Sequence, residues 1–309
     1  MLSRAAERVY WAGRYLERAE NTARIVQQYS QLLLDLPREV DVGWFELVKI
    51  FGASVQVSGS NDDDEERAIL EFLLSDPNSG NSLNFCIRMA RDNVRNLRDL
   101  LPQESWESVN ELHQYARRKL EATPAAEDRF EVLADCIGRC QQINGIFAGT
   151  MSHESPYFFL TLGQCIERAD MTSRIIDVAA AYLQQNERLV LRYGSTLWTN
   201  VLKSVSGFQM YRQYSQPAVQ GTAVIDYLLN DKAFPRAVRA SILHARKTCA
   251  SLPNSDHLVH ALDKVNHVLP SPLPDDLDGS MVSETMDTLQ IRLADAHAAV
   301  VDTWFLPAD

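Results

Sequence analysis

Apolar and polar residues alternate along this chain at intervals of three and four almost throughout, a spacing that predicts helices. From Leu2 to Leu34, ahead of the break at Pro37, Leu2, Ala5, Val9, Ala12, Leu16, Ala19 and Ala23 fall on one narrow stripe at about 100° per residue. Its small side chains predict a closely packed neighbour. On the opposite side Glu7, Tyr10, Trp11, Arg14, Glu17, Arg18, Asn21 and Ile25 form a second stripe, charged and aromatic together. Shorter helical patterns follow over Val42 to Val57, Glu65 to Leu74, Ser82 to Leu100, Pro102 to Glu121 and Glu127 to Met151, with Asp62 to Asp64 as a capping cluster ahead of the second of them. Ser155-Pro156, a cap residue followed by proline at the first helical position, opens a second long helix reaching Arg192. Later patterns cover Asp256 to Leu269 and Val282 to Phe305, with an exposed loop from Pro270 to Gly279 between them. The expected fold is all-α, a duplicated bundle of about twelve helices, six per half, each half opened by a long helix.

The duplication is read from offsets. Gly13 to Arg24 (GRYLERAENTAR) returns as Gly163 to Arg174 (GQCIERADMTSR), 150 residues later, with Gly, Glu-Arg-Ala, Thr and Arg unchanged. The block at Trp44 returns at Trp198, Leu73-Leu74-Ser75-Asp76 returns as Leu228-Leu229-Asn230-Asp231, and Ala90-Arg91 returns as Ala245-Arg246. Matches in one order imply a tandem repeat with halves 1–154 and 155–309.

Composition narrows the function. Apolar residues at 46% and charged residues at 23% describe a folded chain. A formal charge of -11 with no segregated basic patch opposes binding to nucleic acid or to anionic lipid. Neither a signal peptide nor an 18-residue apolar run is visible, and five cysteines without a Cys-x-x-Cys pair read as reduced thiols, so a cytoplasmic protein is expected. Cys136 and Cys140 read as core residues, and His257, His260 and His267 as a solvated helix face opposite a core stripe, so no metal is expected. No cofactor is expected either: no Gly-rich phosphate loop occurs, and no histidine follows a glutamate at the i, i+3 spacing of di-iron bundles. His153-Glu154 reads as a polar interhelix turn.

The repeated stretch carries the candidate chemistry. Glu20 to Arg24 and Asp170 to Arg174 are acid-before-base pairs at i, i+4. Glu17 and Arg18 are adjacent and diverge by about 100°, so each needs a partner elsewhere. Across a pseudo-twofold, Glu17 would meet Arg168 or Arg174, and Glu167 would meet Arg18 or Arg24. Two readings stay open. Either buried charges pair to lock the long helices in register, or the two faces line a cleft whose arginines bind a carboxylate or phosphate, with Tyr10 and Trp11 as an aromatic wall. The candidate binding residues are therefore Tyr10, Trp11, Arg14, Glu17, Arg18, Asn21, Arg24, Glu167, Arg168, Asp170 and Arg174.

The opening MLSRAAERVYWAGRYLERAENTAR, the second copy LGQCIERADMTSRIID, the Trp blocks and IRMARDNVRNLRDLLPQESWESVN together resemble the alpha-E family of bacterial helical domains, named for a Glu-Arg motif. The resemblance covers essentially the whole chain and places the motif on Glu17-Arg18 and Glu167-Arg168. It implies, from the family's usual gene neighbours, partnership with a circularly permuted ATP-grasp protein and a transglutaminase-like protein, sometimes with an Ntn-type peptidase. That company points to a non-catalytic partner or scaffold in peptide synthesis or modification. The alternative is an enzyme component that forms or cleaves amide bonds in the Glu-Arg cleft. Gln164 and Met171 stand where the first copy has Arg14 and Asn21, so a less polar second face is expected.

Overall fold

In the computed structural model, which describes residues 3–37, 40, 42–55, 62–214, 219–274 and 278–305, every regular element is helical. The first half holds α1 (Ser3–Asp35), α2 (Phe45–Ile50), α3 (Asp62–Leu70) running into a π turn (Glu71–Ser75), α4 (Leu83–Arg95), α5 (Gln103–Lys119) and α6 (Ala126–Thr150). The second holds α7 (Ser155–Gln185), α8 (Glu187–Ser204), α9 (Phe208–Tyr214), α10 (Gly221–Asn230), α11 (Val238–Cys249), α12 (Asp256–Val268) and α13 (Gly279–Val300), which ends in a π turn (Val301–Phe305). Among the described residues there are thus thirteen α-helices, one more than the expected twelve, and the addition falls in the second half.

Several boundaries differ from the apolar pattern for local reasons. The second long helix stops at Gln185 rather than Arg192, because Asn186 leaves helical geometry at φ -126° and ψ 56° and α8 then starts afresh. Ser155 is the first helical residue and not the cap, although Pro156 does occupy the first turn. Asp62 to Asp64 lie within the first turn of α3 rather than ahead of it. Of Val42 to Val57, the described helix is confined to α2; Val57 and Leu2 lie outside the described residues. Cys136 and Cys140 are buried core residues, while His257, His260 and His267 are exposed.

α1 and α7 form the axis of the molecule. α1 packs on α7, α4, α6 and α8, and α7 packs on α11, α13 and α8 as well. The two stripes of α1 therefore do not divide into a core face and a solvent face. Val9, Ala12, Leu16, Ala19 and Ala23 are buried, and so are Tyr10, Arg14, Glu17, Asn21 and Ile25 from the charged stripe. A close backbone contact between α1 and α7 lies off the alanine stripe, at two glycines. A Cβ placed on Gly13 would sit 2.3 Å from the Leu160 carbonyl oxygen of α7, and one on Gly163 would sit 2.2 Å from the Tyr10 carbonyl oxygen of α1.

Candidate functional site

The glycine crossing decides where the motif goes. Glu17 lies one turn beyond Gly13 and Glu167 one turn beyond Gly163, so each glutamate leaves its helix on the face that touches the other helix. Both are fully buried there, Glu17 at 0% and Glu167 at 1% exposure. Arg168 forks onto Glu17, donating from Nε to Oε1 at 3.1 Å and from Nη2 to Oε2 at 2.6 Å. Arg18 forks onto Glu167 in the same way, at 2.5 Å from Nε and 3.0 Å from Nη2. Each glutamate is thus clasped by the arginine that follows the other glutamate. Of the partners the spacing allowed, Arg168 and Arg18 are the ones met; Arg24 and Arg174 pair within their own helices, with Glu20 and with Asp170 at 2.9 Å.

A second arginine completes each clasp, and here the halves differ. Arg14 donates from Nε to Glu167 Oε2 at 2.7 Å, whereas Gln164, at the equivalent place on α7, turns away and donates to Asn144 Oδ1. Glu17 receives its second arginine from outside the motif: Arg236, just before α11, donates from Nη1 at 2.7 Å. Arg236 also donates to Asn21 Oδ1 at 2.7 Å and to Glu20 Oε1 at 2.8 Å. Asn81 occupies the corresponding place in the first half, as matching bonds show: Thr22 donates to the Asn81 carbonyl at 3.3 Å and Thr172 to the Arg236 carbonyl at 3.0 Å. The less polar second copy of the motif is therefore compensated from another helix junction. Nothing in the repeat marked Arg236, because its counterpart is an asparagine.

Electrostatics follow from this geometry. Burial alone would raise the Glu167 carboxyl, but Arg14 and Arg18 outweigh it and hold it down to about 2. Burial opposes the charge of Glu17 too, and Arg168 and Arg236 likewise keep it below its ordinary value. Both carboxylates are ionised, and their oxygens already accept from guanidinium groups. A general base needs an open lone pair and a pKa near the working pH. These glutamates each accept three guanidinium bonds, which leaves about one lone-pair site, inside the protein, and both are held well below the neutral range.

The aromatic end of the stripe is a packed corner. Tyr10 is fully buried, its hydroxyl 2.8 Å from His297 Nδ1 and its ring stacked on that imidazole with centroids 5.6 Å apart. Trp11 meets the same ring edge-on, and the Arg14 guanidinium lies 5.4 Å from the Trp11 ring centre. Burial, aided by Arg14, pushes His297 down to about 4, and burial pushes Tyr10 up to about 12. Tyr10 and Trp11 are thus occupied with α13 rather than forming the wall of a cleft. His297 escaped the pattern because a lone histidine on a helix carries no spacing signal. No group of three or more His, Cys, Asp or Glu side chains among the described residues could hold a metal ion. His153 is exposed and stacks on Tyr157.

Residues 1–305 match the model of a family described as a predicted alpha-helical domain with a conserved ER motif. The chain belongs to the Alpha-E family. Its Glu-Arg pairs are the reciprocal clasp between α1 and α7. Among curated proteins it is 22% identical, over 317 aligned residues, to an uncharacterised protein of Mycobacterium bovis and to one of Mycobacterium tuberculosis. The alignment covers 95% of this Alpha-E chain and 35% of each relative, so the chain spans about a third of the length of the curated relatives it matches. No solved structure matches it. Among its described residues, no helix is long and apolar enough to cross a membrane.

Proposed function

We propose that this Alpha-E protein is a non-catalytic partner or scaffold in a peptide synthesis or modification system, working beside a circularly permuted ATP-grasp ligase and a transglutaminase-like protein. The observation that carries the non-catalytic part is the state of Glu17 and Glu167: buried, ionised and each held by two arginines. In this reading the Glu-Arg motif holds the molecule together, and partners are met on its outer surfaces.

Two features support that division of labour. The curated relatives are about three times longer than the matched region, so there the domain sits within a larger chain. The halves also carry open grooves at corresponding places. Glu71, Ser75 and Asp76 line one of about 700 Å³, and Asp226, Asn230 and Asp231, 155 residues later, line one of about 710 Å³. The identity of the partners comes from the family resemblance.

The test is reconstitution. The purified chain is expected to co-elute with the neighbouring ATP-grasp ligase in size-exclusion chromatography and to show no turnover alone with acyl-phosphate or peptide substrates. Turnover by the isolated chain that Glu17→Gln or Glu167→Gln abolishes, with the fold retained, would instead establish the clasp as an active site.

A further inference from the structure

The clasp is not electrically balanced. Its ion pairs join five guanidinium groups, from Arg14, Arg18, Arg24, Arg168 and Arg236, to three carboxylates, from Glu17, Glu20 and Glu167. On the Glu17 side, Arg24, Arg168 and Arg236 face Glu17 and Glu20, three positive charges against two. Solvent hardly reaches Glu17, Glu20 and Arg24, at 0%, 2% and 3% exposed, and it reaches the side chains of Arg168 and Arg236 only in part, at 20% and 13%. An uncompensated charge in such a place is costly.

At the same spot two donors are open. Asn21 Nδ2 and Arg24 Nη1 are buried and have no hydrogen-bond partner in the protein. Three residues apart on α1, they leave the same face of the helix. Both flank Arg236, which donates to Asn21 Oδ1 and to Glu20, the carboxylate that Arg24 also holds. Burial and the adjoining Arg24 and Arg168 push the Arg236 guanidinium below its ordinary value in spite of Glu17 and Glu20. One missing negative charge and two missing acceptors coincide.

We infer that this corner binds one monovalent anion of halide size, held by Asn21 Nδ2 and Arg24 Nη1 beside the Arg236 guanidinium. A water molecule would accept both hydrogen bonds and leave the surplus charge in place; a halide does both. A phosphate carries up to two charges and several acceptor oxygens, more than one surplus charge and two open donors satisfy. The site belongs to the first copy of the motif, because Met171 replaces Asn21 in the second and offers no donor. It is independent of which partners the protein has.

Thermal unfolding in sodium chloride and in sodium gluconate at matched ionic strength tests the site. An anion bound by the folded state raises Tm with the logarithm of its concentration above Kd, by about 4 °C at a hundredfold excess over Kd for a chain of this length. Crystals soaked in bromide are expected to show an anomalous peak in contact with Asn21 Nδ2 and Arg24 Nη1. Asn21→Asp supplies the charge from within and is expected to fold with a Tm that no longer distinguishes the two salts. The proposal is overturned by equal wild-type Tm in both salts, by a water without anomalous signal at the site, or by Asn21→Asp responding to chloride as the wild type does.

Discussion

Gly13 and Gly163 face each other across the crossing of α1 and α7, each with the other helix's backbone where its own Cβ would be. The obstacles are the carbonyl groups of Leu160 and Tyr10, which cannot rotate aside as a flexible side chain can. Gly13→Ala or Gly163→Ala must therefore push the helices apart, and that movement also stretches the Glu17–Arg168 and Glu167–Arg18 forks one turn away. Each substitution is expected to cost about 3 kcal/mol or more, the upper range for overpacking, measured by urea unfolding. A neutral outcome at either position would mean that the crossing is not the close contact described.

Glu167→Gln keeps the shape of the side chain and removes its charge, leaving Arg14 and Arg18 without a counterion in a buried setting. Breaking a buried pair from one side costs about 3–5 kcal/mol, and Glu17→Gln should behave alike. A double-mutant cycle of Glu167→Gln with Arg18→Met should give a large coupling energy, because the second change removes one of the stranded charges.

Arg14 and Arg236 both complete a clasp, but they are not equivalent. Removing Arg14 leaves Glu167 with the two bonds from Arg18, whereas Arg236 serves Glu17, Glu20 and Asn21 together. Arg236→Gln should therefore destabilise more than Arg14→Gln, by about 1.5 kcal/mol or more, the value of one further hydrogen bond to a charged group. Paired chemical denaturation curves give the difference directly.

Acid should unfold the protein in two stages. His297 takes its proton near 4 in the fold but at its ordinary 6.5 when unfolded, so stability is full above 6.5 and falls as the pH drops from 6.5 towards 4. His113 and His244, also lowered by burial, add to this stage. Glu167 has an ordinary value of 4.5 and a folded value of about 2, so its contribution is present above 4.5 and is lost between 4.5 and 2. Stability measured against pH should show both slopes, and His297→Gln should shrink the upper one while leaving the lower one in place.

Much of the fold was legible in one dimension because helices write their period into the chain. The long helices, the all-α class and the recurrence of Glu-Arg at two places needed only spacing and offsets, and the adjacency of Glu17 and Arg18 already required partners elsewhere. Helix ends were less legible. Asn186 interrupts a helix in a stretch whose apolar period runs on unbroken, because one residue's φ and ψ leave no trace in a pattern of side chains.

What the tertiary structure alone decided is how the charges of α1 are used. Periodicity separates a charged stripe from an apolar one but does not say how many neighbours a helix has, and α1 is packed on more than one side. Once two glycines bring the backbones of α1 and α7 together, the charged stripe becomes interior, and the exchange of arginines between the glutamates follows from the distance between the helices. Arg236 and His297 join it from 219 and 287 residues away in sequence from Glu17 and Tyr10. No local pattern reaches that far, since those contacts exist only after the chain has closed on itself.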